Sequence, residues 1–339
     1  DELYTHDPMA GIGAWETVAS MSVPRYALSA VALPNGYVVV AGGTAYNQFL
    51  TGIELYDCGN NSWRTWSTPG AVLKQGRAEA TMALVATTVD GEDALATATL
   101  WIIGGRSGTL YLDSIEQIVI DFTGDVPTAS VTSFTDVLNS PNHLSLARAN
   151  AKLVTYDTGF IVMGGQTASA TYSEQVDIYD ILGDTWKTGP NMHVARTGFQ
   201  AVTLGDGDIL VLGGRNSSGI LDSVERLDTE DASPANWTWD DFSDPDPTLD
   251  LSLTTPRVSF SAVYRPSTGT VLAIGGLDDN NTPLDSVQEL FMDANRVAWV
   301  PADSLAIDRV FHGASYLPAD GTVLIYGGQL GSRFAPGVE

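Results

Sequence analysis

The sequence predicts an all-β fold assembled from one repeated unit, and three observations carry that prediction. Six times an apolar run climbs into a Gly-Gly pair: Val38 to Gly43, Leu100 to Gly105, Phe160 to Gly165, Ile209 to Gly214, Val271 to Gly276 and Leu324 to Gly328. Successive pairs stand 62, 60, 49, 62 and 52 residues apart, the period of a repeated supersecondary unit. Turn chemistry precedes most of these runs, as Pro34-Asn35-Gly36, Asp157-Thr158-Gly159, Gly205 to Asp208, Ser267-Thr268-Gly269 and Ala319-Asp320-Gly321. Each run therefore reads as the second strand of an antiparallel hairpin.

The first full unit, Arg25 to Thr68, reads as four short strands. Tyr26 to Leu33 is apolar and rich in small residues, and Tyr37 to Ala41 is apolar on both faces, as suits a strand sandwiched between sheets. Ile53 to Asp57 alternates like a half-buried strand, and a fourth strand carries Trp63 and Trp66. Later units keep this order. Leu-Asp-Ser stands eight or nine residues past the first glycine at Leu112 to Ser114, Leu221 to Ser223 and Leu284 to Ser286. Trp186, Trp237 or Trp239, and Trp299 mark later fourth strands, while the second unit has Phe134 there and a long Asp90 to Thr97 hairpin.

A Gly-Gly after the second strand, an aromatic on the third and a tryptophan on the fourth resemble the kelch repeat. The resemblance covers nearly the whole chain and implies a β-propeller with one four-stranded blade per repeat. On that reading the chain is one six-bladed domain, 1–339, with blades at about 25–68, 77–134, 147–188, 195–242, 256–302, and 308–339 joined by 1–19. The last blade is expected to close with strands from both termini. Only Gln329 to Glu339 follow the sixth Gly-Gly, whereas Glu2 to Asp7 and Trp15 to Val18 match Glu54 to Asp57 and Trp63. Such closure leaves no open sheet edge.

Composition narrows the function classes. The chain carries a net charge of −25, with three lysines (Lys74, Lys152, Lys187) against thirteen arginines, which argues against a nucleic-acid binder. No apolar stretch approaches the ~18 residues of a membrane span. The first residue is not methionine, which reads as a processed product or a piece of a larger protein. Acidity is densest from Asp228 to Asp250, with eight acids and no base. A solvated loop is the expected reading, calcium held by Asp240, Asp241, Asp244 and Asp246 an alternative. Cys58 is the only cysteine, so no internal disulfide forms. Four glycosylation sequons begin at Asn60, Asn216, Asn236 and Asn280, all in turns or strand ends. Low lysine, high acidity and the sequons lean towards an extracellular or cell-surface protein, with a cytoplasmic adaptor as the alternative.

One arginine precedes the first strand of every unit: Arg25, Arg77, Arg148, Arg196, Arg257 and Arg309. They either tie blade to blade through carbonyls and carboxylates or line the channel mouth as a binding ring for a carboxylate or sulfate. The resemblance extends to galactose-oxidase-like copper enzymes, whose site uses two tyrosines, two histidines and a cysteine. Here the histidines are His6, His143, His193 and His312, no Tyr-His pair occurs, and Cys58 sits at a third-strand end. No copper site, other metal or cofactor is therefore expected. His312, on a predicted innermost strand, is the histidine nearest the channel.

The expected function is a non-catalytic interaction module in a larger extracellular or surface assembly, binding protein, or glycan, through loops after the Gly-Gly pairs and between blades. Loop material is concentrated at Asp90 to Thr97, Asp125 to Leu146 and Asp228 to Thr255. Val131, Phe134 and Leu138 read as a fourth strand and its loop, or else as contact residues. The alternative is an enzyme acting on an acidic sugar in the arginine-lined channel, like the six-bladed sialic acid mutarotases, with Glu79 as its acid or base.

Overall fold

A computed structural model describes residues 4–5, 16–17, 19–91, 94–133, 143–156, 158–231, 233–240, 251–293, 296–317, 321–326, 329–330 and 333–334. Five units fold as four-stranded antiparallel sheets in simple up-and-down order. The first contains Ser29–Ala32, Tyr37–Ala41, Ile53–Asp57 and Ser62–Trp66. The second contains Thr81–Val89, Leu95–Ile103, Ile115–Asp121 and Thr128–Ser133. The third follows with Lys152–Tyr156, Gly159–Met163, Val176–Asp180 and Thr185–Thr188. The fourth has Gln200–Thr203, Ile209–Leu212, Val224–Asp228 and Thr238–Asp240. The fifth has Ser261–Arg265, Thr270–Ile274, Val287–Asp293 and Arg296–Ala302. In the sixth, Gly313–Leu317 pairs with Thr322–Tyr326.

The apolar runs become second strands because both of their faces are covered. Every residue of Gly159–Met163, Ile209–Leu212 and Thr270–Ile274 is buried. The cores lie between sheets rather than within them. Val39, Ile53 and Leu55 of the first unit share one with Leu100, Ile102 and Ile118 of the second. Four further cores join the second unit to the third, the third to the fourth, the fourth to the fifth and the fifth to the sixth. The first strands of successive units touch one another in the same series, from the first unit to the sixth.

Fourth-strand tryptophans tie the outer edge. The indole N–H groups of Trp63, Trp239 and Trp299 donate to the carbonyls of Ala19, Pro190 and Leu251, each in the link before its unit. Trp239, opposite Leu227, is thus the fourth-strand tryptophan of unit four, and Trp237 lies just outside the strand. In the second unit the long hairpin forms from strands of nine residues each, with register shifts in their ladder. Val131 is buried in its fourth strand, while Phe134 and Leu138 lie outside the described residues.

Near the amino terminus Tyr4–Thr5 pairs antiparallel with Glu16–Thr17, in the order expected of a third and fourth strand. Among the described residues no ladder joins this pair to Thr322–Tyr326. His6, Trp15 and Gly327-Gly328 lie outside the described residues.

Candidate functional site

The up-and-down order gives every sheet the same two ends. Turns between strands one and two, and three and four, lie at one end. The other end gathers the links between units, the arginines, and a small hairpin after each Gly-Gly. Thr44–Ala45 pairs with Gln48–Phe49, Arg106–Ser107 with Leu110–Tyr111, and Arg215–Asn216 with Gly219–Ile220. Single bridges such as Tyr26 to Thr44, Ala78 to Arg106 and Thr197 to Arg215 seat these hairpins beside the arginine segments.

The arginines are buried, with exposures of 5%, 1%, 0%, 0%, 0% and 1% for Arg25, Arg77, Arg148, Arg196, Arg257 and Arg309. The head groups of the first five are turned into their own units. Nη1 of Arg196 donates to the carbonyls of Gly213 (2.7 Å) and Ser223 (3.0 Å), and Nη2 to the Ser223 hydroxyl (3.0 Å) and Glu225 (2.5 Å). Arg77 repeats this with Gly104, Ser114 and Glu116. Arg25 uses Gly42, Gly52 and Glu54, and Arg148 uses Val162, Gln175 and Asp177.

Each acid also accepts from the link that precedes its arginine. Glu225 takes the backbone N–H groups of His193 and Val194, Glu116 those of Lys74 and Gln75, Glu54 that of Ser22, and Asp177 the Ser145 hydroxyl. Burial lowers the pKa of Arg77, Arg148 and Arg196, and their carboxylate partners oppose that shift. The fifth unit has Gln288 at the acid's position, and burial pushes Arg257 down to about 10.

The main chain of each arginine reaches the preceding unit. The second glycine N–H donates to the next arginine's carbonyl in five cases: Gly43 to Arg77, Gly105 to Arg148, Gly165 to Arg196, Gly214 to Arg257 and Gly276 to Arg309. In the other direction, the N–H groups of Arg148, Arg257 and Arg309 donate to the carbonyls of Leu112, Leu221 and Leu284. The Leu-Asp-Ser recurrence is thereby explained: leucine receives the next arginine, and serine receives the unit's own. Unit-to-unit ties therefore run through the arginine backbone, whereas one of the two sequence readings gave them to guanidinium groups reaching the adjoining blade. This structure places the six head groups inside the scaffold rather than open at a channel mouth.

Two residues past each arginine the chain turns left-handed, at Ala27, Glu79, Asn150, Gly198, Ser259 and Phe311. These residues link into partial chains: Glu79 N–H to Ala27, Asn150 to Glu79, Ser259 to Gly198 and Phe311 to Ser259. Here lies the accessible chemistry. Glu79 bonds Arg106 (2.7 Å) and the Asn150 amide (2.9 Å), and Arg106 also stacks over Phe49. Large apolar side chains stand exposed at the same end: Tyr26 at 61%, Tyr46 at 86%, Leu110 at 58% and Phe311 at 67%.

The remaining candidates lie apart. His312 is buried against Gly275, in the place where Phe199 packs on Gly164 and Phe260 on Gly213. His143 is exposed with Nδ1 on the Leu144 carbonyl, and exposed His193 stands beside Glu225. Cys58 is exposed at the outer turn of the first unit, its thiol raised by partial desolvation and by Asp57. Among the described residues no group of three or more His, Cys, Asp or Glu converges as a metal site; Asp241, Asp244 and Asp246 lie outside them. Asn60, Asn236 and Asn280 are exposed and Asn216 is half-buried.

The family described as Kelch motif matches residues 25–68, 147–193 and 196–245, each opening at or just before one of these arginines. The chain carries kelch motifs. Among similar proteins, a galactose oxidase of Gibberella zeae is 34% identical over 79 residues, covering 23% of this kelch chain and 10% of the oxidase. An F-box/kelch-repeat protein of Arabidopsis thaliana is 32% identical over 95 residues, covering 28% of this chain and 24% of that protein. The kelch chain thus matches only a small part of either relative. The acids that hold the arginines escaped the sequence reading, although each is the second residue of its unit's third strand or next to it. Their signal was a charged residue recurring at one register of a strand otherwise read as half-buried.

Proposed function

We propose that this chain is a six-bladed kelch propeller, closed by strands from both termini, that serves as a non-catalytic interaction module. The observation that carries this reading is a division of labour. The recurring arginines, acids and Leu-Asp-Ser serines are spent inside the scaffold, whereas the hairpins and links at one end differ from unit to unit. These present Tyr26, Tyr46, Leu110 and Phe311 to solvent, and exposed apolar groups gathered on one face suit a protein partner. The likeness to an F-box/kelch-repeat protein, in which the repeat accompanies another domain, supports the same reading. We further assign the module to an extracellular or cell-surface assembly. That step rests on the surface positions of Asn60, Asn216, Asn236 and Asn280 and on the chain's acidity. Mass spectrometry of the protein purified from its native source tests both parts. Glycan on these asparagines and a stoichiometric partner released by Tyr46→Ser plus Leu110→Ser are expected. Bare asparagines remove the support for the extracellular assignment, and a partnerless chain overturns the module itself.

The second reading, an enzyme acting on an acidic sugar, is favoured by one cluster: Glu79 with Arg106 and Asn150 at the accessible end. It requires that Glu79→Gln abolish turnover of such a sugar while leaving thermal stability intact.

A further inference from the structure

The long hairpin of the second unit outgrows its neighbours. Ser29, Thr81 and Lys152 each stand four residues past their unit's arginine and open the first strands of units one, two and three. Ser29–Ala32 runs for four residues and Lys152–Tyr156 for five, and both touch Thr81–Val89, which runs for nine. Counted from the arginines, Ala32 and Tyr156 are level with Leu84 and Val85. Residues 86–89 therefore project past both neighbours, by about 14 Å at the ~3.4 Å rise of a strand residue.

This projecting stretch is a free sheet edge. Thr81–Val89 lies at one edge of its sheet, paired with Leu95–Ile103. Ala86, Thr87, Thr88 and Val89 are all exposed, whereas the first strands of units one, three, four and five never have two exposed residues in succession. Two register shifts bracket the stretch and leave Ala86 opposite Thr99, Thr87 opposite Ala98 and Thr88 opposite Thr97. The Thr88 and Thr97 hydroxyls bond at 2.7 Å. Alternate N–H and C=O groups of such a strand point away from its partner. Among the described residues no further backbone hydrogen bond reaches residues 86–89. Proteins blunt open edges with charge, proline or a cover, yet Thr81–Val89 carries no charged residue, proline or glycine.

The surroundings of the edge are acidic. Asp121 stands opposite Thr97, in the same cross-strand row as Thr88. Asp90 follows Val89 directly, Glu92 and Asp93 come next in the sequence, and no lysine or arginine occurs in residues 78–105 or 107–147. A second copy of this chain, at net charge −25, brings like charge against the edge. An extended segment carrying lysine or arginine is complementary to it.

We propose that residues 86–89 are a strand-addition site for an extended, basic segment of a partner protein. Main-chain bonds to the open edge supply affinity, and Asp90 and Asp121 select a basic residue beside it. The site lies at the turn end, opposite the hairpins that carry Tyr46 and Leu110, so it stands whether or not those hairpins bind a partner.

The test uses the whole chain and the labelled peptide Lys-Val-Thr-Val-Tyr-Val-Lys, with binding read by fluorescence anisotropy and the contact by amide hydrogen exchange. Saturable binding with slowed exchange at residues 86–89 is expected. Glutamate in place of both lysines should weaken binding at least about tenfold. N-methylation of one alternate set of peptide nitrogens should abolish binding, while methylation of the other set leaves it within about twofold. The proposal is overturned if the lysine peptide does not bind, if the glutamate peptide or both methylated peptides bind as well, or if protection falls elsewhere. Self-association of the chain that protects the same amides assigns the edge to a second copy and overturns the basic segment.

Discussion

Arg257 is the arginine whose surroundings break the pattern of the first four units. Gln288 occupies the acid's position at 3% exposure; its Oε1 accepts from Thr254, and its Nε2 is buried without a partner. Gln288→Glu replaces that donor with an oxygen suited to the guanidinium, recreating the arrangement of Arg196 and Glu225. The variant should be more stable by about 1–2 kcal/mol in denaturant titration, since it satisfies two buried groups at once. A loss of stability would show that Arg257 is already satisfied by Gly275 and Ser286. Lys152 supplies the pH-dependent counterpart. Its folded pKa of about 8 lies below the ordinary 10.5, so the unfolded chain binds the extra proton between those values. This group's penalty is complete below pH about 8 and relieved as pH rises towards about 10.5. Lys152→Met should therefore stabilise the protein most at neutral pH, with the advantage over the parent shrinking across that window. A pH-independent difference would mean that the amine is hydrated.

At the scale of the element, the Gly-Gly pair joins a buried second strand to the hairpin and to the next unit's arginine. Gly214 has φ +96°, and a Cβ there would stand 2.7 Å from Phe199 Cβ and 2.8 Å from the Thr197 carbonyl oxygen. Gly214→Ala should cost about 2–4 kcal/mol, through backbone strain and the displaced inner strand. A cost below about 1 kcal/mol would show that the link can shift. These pairs were readable in the sequence because both of their demands, left-handed backbone and no side chain, select glycine alone. The first-strand arginines were equally visible from their even spacing. The acids Glu54, Glu116, Asp177 and Glu225 were not, because nothing local distinguishes a buried carboxylate from the chain's many exposed ones. Only the three-dimensional approach of an arginine from 29 to 39 residues earlier supplies its partner inside.

For the whole molecule, the proposed closure makes its own prediction. If Tyr4–Thr5 and Glu16–Thr17 complete the sixth sheet, deleting residues 1–19 strips the outer edge from Thr322–Tyr326 and leaves that strand to pair with other molecules. The truncated chain should melt well below the parent and elute as higher oligomers, whereas an unchanged melting temperature and a monomer would sink the closure. The arginine ties carry a different consequence, for the order in which the chain matures on the ribosome. The glycine N–H that ends one unit's second strand is satisfied only by the carbonyl of the following arginine. A unit just synthesised thus remains unlatched until the start of its successor emerges. Each sheet should settle one step behind synthesis, and a pause between units would leave the last one made as the vulnerable one.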